Sequence, residues 1–122
     1  MGVTYPTIMR RSGFEAFVLT LPGTELVRQW SDASVAKVGG KLFALLDDDP
    51  GEVWLKVSDV AYELLTELEG IRPAPYFARA GWVAIAVTSP LGGDEVEAYL
   101  REAHRLIVGK LTRKLRAELG LA

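Results

Sequence analysis

The chain has no cysteine. That excludes disulfides, thiolate metal sites and cysteine nucleophiles, and it fits a reducing compartment. It has one histidine, His104. Leu100 and Val108 stand one helical turn either side of it, so a helical His pair for metal binding is excluded. A lone His is a helix-surface or boundary residue before it is a triad member. No apolar run approaches the roughly 20 residues of a membrane helix. The N-terminal stretch MGVTYPTIMRRSGF places its basic pair after its short apolar piece, the reverse of signal-peptide order. These features lead us to expect a cytoplasmic protein with no membrane partner. The net charge is only −2, which speaks against indiscriminate binding to nucleic acid.

What is present suits one soluble domain over residues 1–122, nearly half hydrophobic and a quarter charged. No repeat or long linker divides it. The charge is uneven. Lys110, Arg113, Lys114 and Arg116 crowd the C-terminus, opposed there only by Glu118. Asp47, Asp48, Asp49 and Glu52 share one loop, and Asp59, Glu63, Glu67 and Glu69 one helix. A near-neutral average can therefore conceal a basic patch.

Periodicity predicts the elements. Ser12 and Glu15 have capping-box spacing and open a helix with Phe14, Phe17, Val18 and Leu21 on one stripe. Thr24 to Trp30 reads as a strand turned by Ser31-Asp32. Val35–Val38 and Lys41–Leu46 flank Gly39-Gly40, a hairpin signal. Here Val38 faces Lys41, Phe43 shares a side with Ala36 and Val38, and Lys37 shares one with Leu42 and Ala44. Which side is buried stays open. Glu52–Val57 alternates, with Val53, Leu55 and Val57 opposite Trp54 and Lys56. Ser58 caps a helix over Asp59–Glu69 whose expected buried stripe is Val60, Leu64, Leu65 and Leu68, stopped by Gly70. Arg72-Pro73-Ala74-Pro75 reads as a stiff loop, and Trp82–Thr88 as a strand. Asp94 starts a helix with Val96, Leu100, Ala103 and Ile107 inward. It bends or restarts near Lys110-Leu111-Thr112, and Leu115 and Leu119 continue its stripe. The fold class is α+β in two layers: an antiparallel sheet with helices on one face, in the order helix, four strands, helix, one or two strands, helix or helix pair.

No motif calls for an enzyme or a cofactor. "GGK" is not a phosphate loop, because Val35 replaces the first Gly, Leu42 replaces the Ser/Thr, and a strand follows. Asp47-Asp48-Asp49 lacks EF-hand spacing and reads as a turn beside Pro50-Gly51. Two features remain. The first is the basic run Lys110–Arg116, which either complements a helix dipole or contacts phosphates. The second is the sheet face bearing Trp54, Lys56 and Trp82. It either stacks bases or is covered by a helix or second subunit, since large exposed apolar patches are uncommon.

The ordered set Leu21-Pro-Gly-Thr-Glu25, Lys37-Val-Gly-Gly-Lys-Leu-Phe-Ala44, Val53-Trp-Leu-Lys56, Gly81-Trp-Val83 and Val108-Gly-Lys-Leu-Thr-Arg-Lys-Leu115 resembles the MmcQ/YjbR family over nearly the whole chain. The resemblance implies a bacterial, CyaY-like α+β protein with a double-wing DNA-binding surface. It points to Lys37 and Lys41 beside the Gly39-Gly40 tip as one wing, and to the loop around Arg72 and Arg79 as the other, with Lys56 between. Ala103-His104 and Thr112 stand where many relatives carry Ser-Tyr and Pro. The leading expectation is non-enzymatic DNA binding through these residues and Lys110, Arg113, Lys114 and Arg116, with Trp54 or Trp82 stacking. The alternative is a protein-interaction or chaperone-like module that uses the Trp-bearing face against a partner or its own copy. Four negative charges at Asp47–Glu52 oppose the DNA reading unless that loop points away.

Overall fold

A computed structural model describes residues 5–121. Residues 1–4 of the N-terminal stretch weighed above, and residue 122, lie outside it. A 3₁₀ turn at Thr7–Met9 leads into α1 (Arg11–Val18). Strands β1 (Thr24–Gln29), β2 (Ala33–Val38), β3 (Lys41–Leu46) and β4 (Val53–Lys56) follow on short turns. Then come α2 (Asp59–Leu65), β5 (Ile71–Pro73), a 3₁₀ turn at Ala78–Ala80, β6 (Trp82–Ile85), α3 (Gly93–Val108) and α4 (Arg113–Glu118). The six strands form one sheet in the order β1-β2-β3-β4-β6-β5, and every pairing is antiparallel.

The helices pack on one face. Phe43, Leu46, Val53, Leu55, Val83 and Ile85 meet Phe14 and Val18 of α1 and Val96, Leu100, Ala103 and Ile107 of α3 in the main core. The alternation expected of β4 and the inward stripe of α3 are therefore as the sequence implies, while the strand expected over Trp82–Thr88 ends at Ile85. The chain restarts at Thr112, whose Oγ1 accepts from the Leu115 N–H at 3.1 Å. Leu115 packs on the core, whereas Leu119 is exposed.

The hairpin settles which side is inward, and corrects one residue. Gly39 and Gly40 have φ of 59° and 79°, the positive values a two-residue hairpin turn needs. Val38 pairs with Lys41 and Lys37 with Leu42. The register then shifts, so that Ala36 pairs with Ala44. The extra residue is Phe43. A bulge rotates the strand, so Phe43 and Ala44 both enter the main core. Ala44 thus leaves the side of Leu42 and Lys37, where strict alternation had put it.

Three other expectations change. Ser12 is not the cap of α1. The helix begins at Arg11, with Arg10 at the cap position, two residues before Ser12. The Asp49 Oδ1 accepts from the Arg11 N–H at 3.0 Å, so a distant carboxylate does the capping. Glu15 instead turns to the sheet, accepting from Ser34 Oγ at 2.7 Å and Arg28 Nη2 at 3.1 Å. In α2, Ser58 Oγ does accept from the Ala61 N–H at 3.2 Å. The regular helix, however, ends at Leu65. Of the expected stripe only Leu65 is buried. Val60 and Leu64 are 70% and 63% exposed, and Leu68 is exposed too. Ala61 and Tyr62 join the core instead. Two adjacent apolar stripes were available on this helix, and docking at the β5–β6 edge chose one. Finally, Ile71–Pro73 is a strand rather than a loop, paired with β6. It lies at the sheet edge, where proline is tolerated.

Candidate nucleic-acid interface

Antiparallel pairing sends charged residues from distant parts of the chain to the same end of the sheet. β3 starts at Lys41 beside the hairpin tip, and β4 returns to finish at Lys56. Lys56 pairs with Trp82, the first residue of β6, so the preceding loop with Arg79 arrives at this end as well. The hairpin tip rests on the α3–α4 junction: a Cβ added at Gly39 would lie 2.7 Å from Leu111 Cδ1. Lys110 adjoins that contact.

Lys56, Arg79 and Lys110 line one cleft of about 550 Å³, closed on another side by Asp59, Tyr62 and Glu63 of α2. The Lys56 ammonium donates to the Ala80 carbonyl. Its pKa is lowered, first by burial and then by repulsion from Lys110, with Asp59 opposing. Burial disfavours the charged ammonium, and the nearby Lys110 adds to that effect. Lys41 and Lys110 are exposed, as are Arg113 and Lys114 on α4, while Arg116 is half-buried.

The other candidate residues lie elsewhere. Lys37 is half-buried on β2, opposite Glu25 of β1. Arg72 is tied to Glu52 at 2.7 Å and so belongs with the acidic loop. Trp82 is only 4% exposed. Trp82 and the half-buried Trp54 both pack against Phe77. The loop that carries Phe77, rather than a helix, covers Trp82 and part of Trp54. Periodicity could not identify Phe77 as that cover, because it follows two prolines in an irregular segment.

The acidic loop Asp47–Glu52 joins the opposite ends of β3 and β4. Five residue steps along β3, about 17 Å at the usual strand rise, separate it from Lys41. Its aspartates also diverge. Asp47 Oδ1 accepts from the Glu52 N–H at 2.6 Å, Asp48 Oδ1 from the Asp49 N–H at 2.8 Å, and Asp49 Oδ1 from Arg10 Nε at 2.9 Å. They shape the turn and cap α1. Among the described residues, no group of three or more His, Cys, Asp or Glu could hold a metal ion. No helix there is long and apolar enough to cross a membrane. His104 is buried, with Nε2 2.7 Å from the Pro22 carbonyl oxygen and its ring edge-on to Phe43. It is a packing residue inside the helix layer, deeper than the surface or boundary place expected for it.

Comparison with known proteins agrees with this architecture. The crystal structure of Deinococcus radiodurans protein DR2400, carrying the domain DUF419, superposes with a TM-score of 0.83 at 23% identity, covering 98% of this chain and 94% of that one. A Pseudomonas syringae protein superposes with a TM-score of 0.65 at 21% identity, covering 80% of this chain and 97% of that one. At such identities the likeness is one of fold. No curated protein matches the chain. The YjbR family model matches residues 19–106, well over half of the sequence and including the hairpin, both tryptophan strands and most of α3. The chain belongs to the YjbR family.

Proposed function

We propose that the protein is a non-catalytic DNA-binding module that holds phosphates at the hairpin end of its sheet. The observation that carries this reading is the gathering of Lys41, Lys56, Arg79 and Lys110, drawn from four separate parts of the chain, at one end of the sheet, where the last three line one cleft. Arg113 and Lys114 on the adjoining α4 extend the positive surface. Lys56 and Lys110 lie close enough to repel one another, which places two cations side by side in the cleft. The remoteness of Asp47–Glu52 removes the main electrostatic objection. Asp59 and Glu63 stay at the rim and limit the attraction. In this reading Trp82 does not stack on bases, because Phe77 already covers it. Lys37 and Arg72 contribute little, because each has an acidic neighbour.

The non-catalytic part of the proposal rests on the sequence, which offers no convergent acid, base and nucleophile, and on the burial of its lone His104 against Pro22 and Phe43. Phe77 covers Trp82 and part of Trp54, so the interaction-module alternative would rest on the exposed rings of Trp30 and Tyr76 rather than on the tryptophan pair. The deciding experiment is fluorescence anisotropy of a labelled short duplex at low salt. Saturable binding that weakens steeply with added salt is expected. Absence of binding at the lowest salt would overturn the proposal.

A further inference from the structure

The open face of the sheet carries a second hollow, at the end away from the basic cleft and made of different chemistry. Its floor is Ala33, Leu45 and Trp54, and its walls are Trp30, Tyr76 and Phe77, around a volume of about 470 Å³. Among the described residues, Asp47 is the one charged residue in the lining. The Phe77 ring centre lies 6.4 Å from those of both Trp30 and Trp54, with the planes inclined at 54° and 70°. The rings thus surround a space without stacking it shut.

The rim is held in a costly conformation. Trp30 and Tyr76 have φ of 50° and 67°, a region that bulky side chains rarely enter. Such backbone persists where its surroundings enforce it, and it gathers at ligand sites. Here Arg11 Nη1 donates to the Asp32 carbonyl at 2.8 Å, and Arg28 Nη1 meets Asp32 Oδ1 at 3.1 Å. Both pin the turn that carries Trp30. The result is two large rings left in solvent: Trp30 is 58% and Tyr76 99% exposed.

We propose that this hollow binds a small organic cation, an alkylated ammonium whose charge lies beside Asp47 among the aromatic rings and whose apolar body covers Trp54 and Phe77. Aromatic faces attract cations that carry little hydration, and a carboxylate at the wall supplies the counter-charge. An anion would meet Asp47 with no lysine or arginine in the lining to offset it. A neutral apolar ligand would leave that carboxylate further desolvated and unpaired. Burial already pushes the Asp47 carboxyl up, a strain that a bound cation relieves.

The test is a titration followed by the indole N–H signals of Trp30, Trp54 and Trp82 in a proton–nitrogen correlation spectrum. The probe is choline, compared with 3,3-dimethylbutanol, which replaces the charged nitrogen with carbon. Saturable shifts of the Trp30 and Trp54 signals are expected, with the alcohol binding at least about tenfold more weakly. Asp47→Asn keeps the Oδ1 acceptor for the Glu52 N–H and should weaken choline by a similar factor. Tyr76→Ala, at a fully solvent-exposed position, keeps the fold and should weaken it too. Equal binding of choline and the alcohol would overturn the proposal. So would undiminished choline binding to both variants, or no saturable shift at all.

Discussion

The phosphate reading makes a quantitative demand on Lys110. Four cations at the hairpin end, Lys41, Lys56, Arg79 and Lys110, give a slope of log K against log salt of about −3.6, at roughly 0.9 per neutralised phosphate. Between 50 and 200 mM salt, affinity for duplex DNA should then fall by a factor on the order of 150. Lys110 is exposed, so Lys110→Gln leaves the fold intact and removes one phosphate contact. The slope should flatten to about −2.7, and the loss over the same salt range should shrink to about 40-fold. The assay is anisotropy of a labelled duplex, at five or so salt concentrations, for both proteins. Asp59→Asn supplies the opposite sign: it removes a carboxylate from the cleft wall and should tighten binding most at low salt. An unchanged slope for Lys110→Gln would refute the assignment of the cleft, even if the protein still bound DNA elsewhere.

Three further outcomes are expected. Leu65→Ala, at a residue 2% exposed, should cost about 2–5 kcal/mol in urea unfolding, whereas Leu64→Ala, one residue away and 63% exposed, should stay within about 0.5 kcal/mol; equal losses would mean that α2 buries its other stripe. Gly39→Ala and Gly40→Ala both place a side chain at positive φ, but only the first meets Leu111, so Gly39→Ala should be the more damaging in thermal unfolding. The acid side of the stability curve should respond to two aspartates with opposite signs. Hydrogen bonds from the Arg11 backbone N–H and the Arg10 side chain hold the Asp49 carboxyl below its ordinary value of 3.8. Its contribution is therefore present above that value and lost as pH falls through the lower folded value. Asp49→Asn should flatten that acid loss. Burial raises Asp47 above the same ordinary value, so its ionisation weakens the fold as pH rises through the interval between the two. Asp47→Asn should stabilise the protein at neutral pH, with the gain vanishing in acid; urea midpoints across pH 2–7 would check both.

Much of the architecture follows from local chemistry. Gly39-Gly40 admits a tight hairpin because glycine alone enters positive φ freely. The alternation in Val53–Val57 can hide only one side of a strand, so it named the core face of β4, whereas all four residues of β6 are buried and pairing with β4 decides which of them meet the helices. The 3.6-residue spacing of Val96, Leu100, Ala103 and Ile107 named the core face of α3. Where local chemistry offered equivalents, it could not choose. Asp59–Leu68 carries apolar residues on two adjacent stripes, and the sheet edge buried Leu65 while leaving Val60 and Leu64 in water. Ser12 could have capped α1, yet Asp49 arrived from the β3–β4 loop and did so instead. The bulge at Phe43 is likewise invisible to a period-two pattern, which assumes that every residue keeps its partner.

The same division holds for the candidate sites. The sequence by itself determined the inventory: no thiol, one histidine, a hairpin rather than a phosphate loop, and basic residues scattered among acidic ones. It also determined family membership, since the ordered motifs lie in one chain. Only the tertiary structure decided which charges meet. Strand direction sent Lys41, Lys56 and Arg79 to the end where α3 delivers Lys110, and sent Asp47–Glu52 to the other. It drew Arg72 to Glu52, and it folded Phe77 over Trp54 and Trp82 while leaving Trp30 and Tyr76 around an open hollow. Charge and aromatic contacts act through space over a few ångströms, whereas sequence patterns report neighbours along the chain. Residues brought together from dozens of positions apart therefore gain their meaning only when the sheet closes the distance.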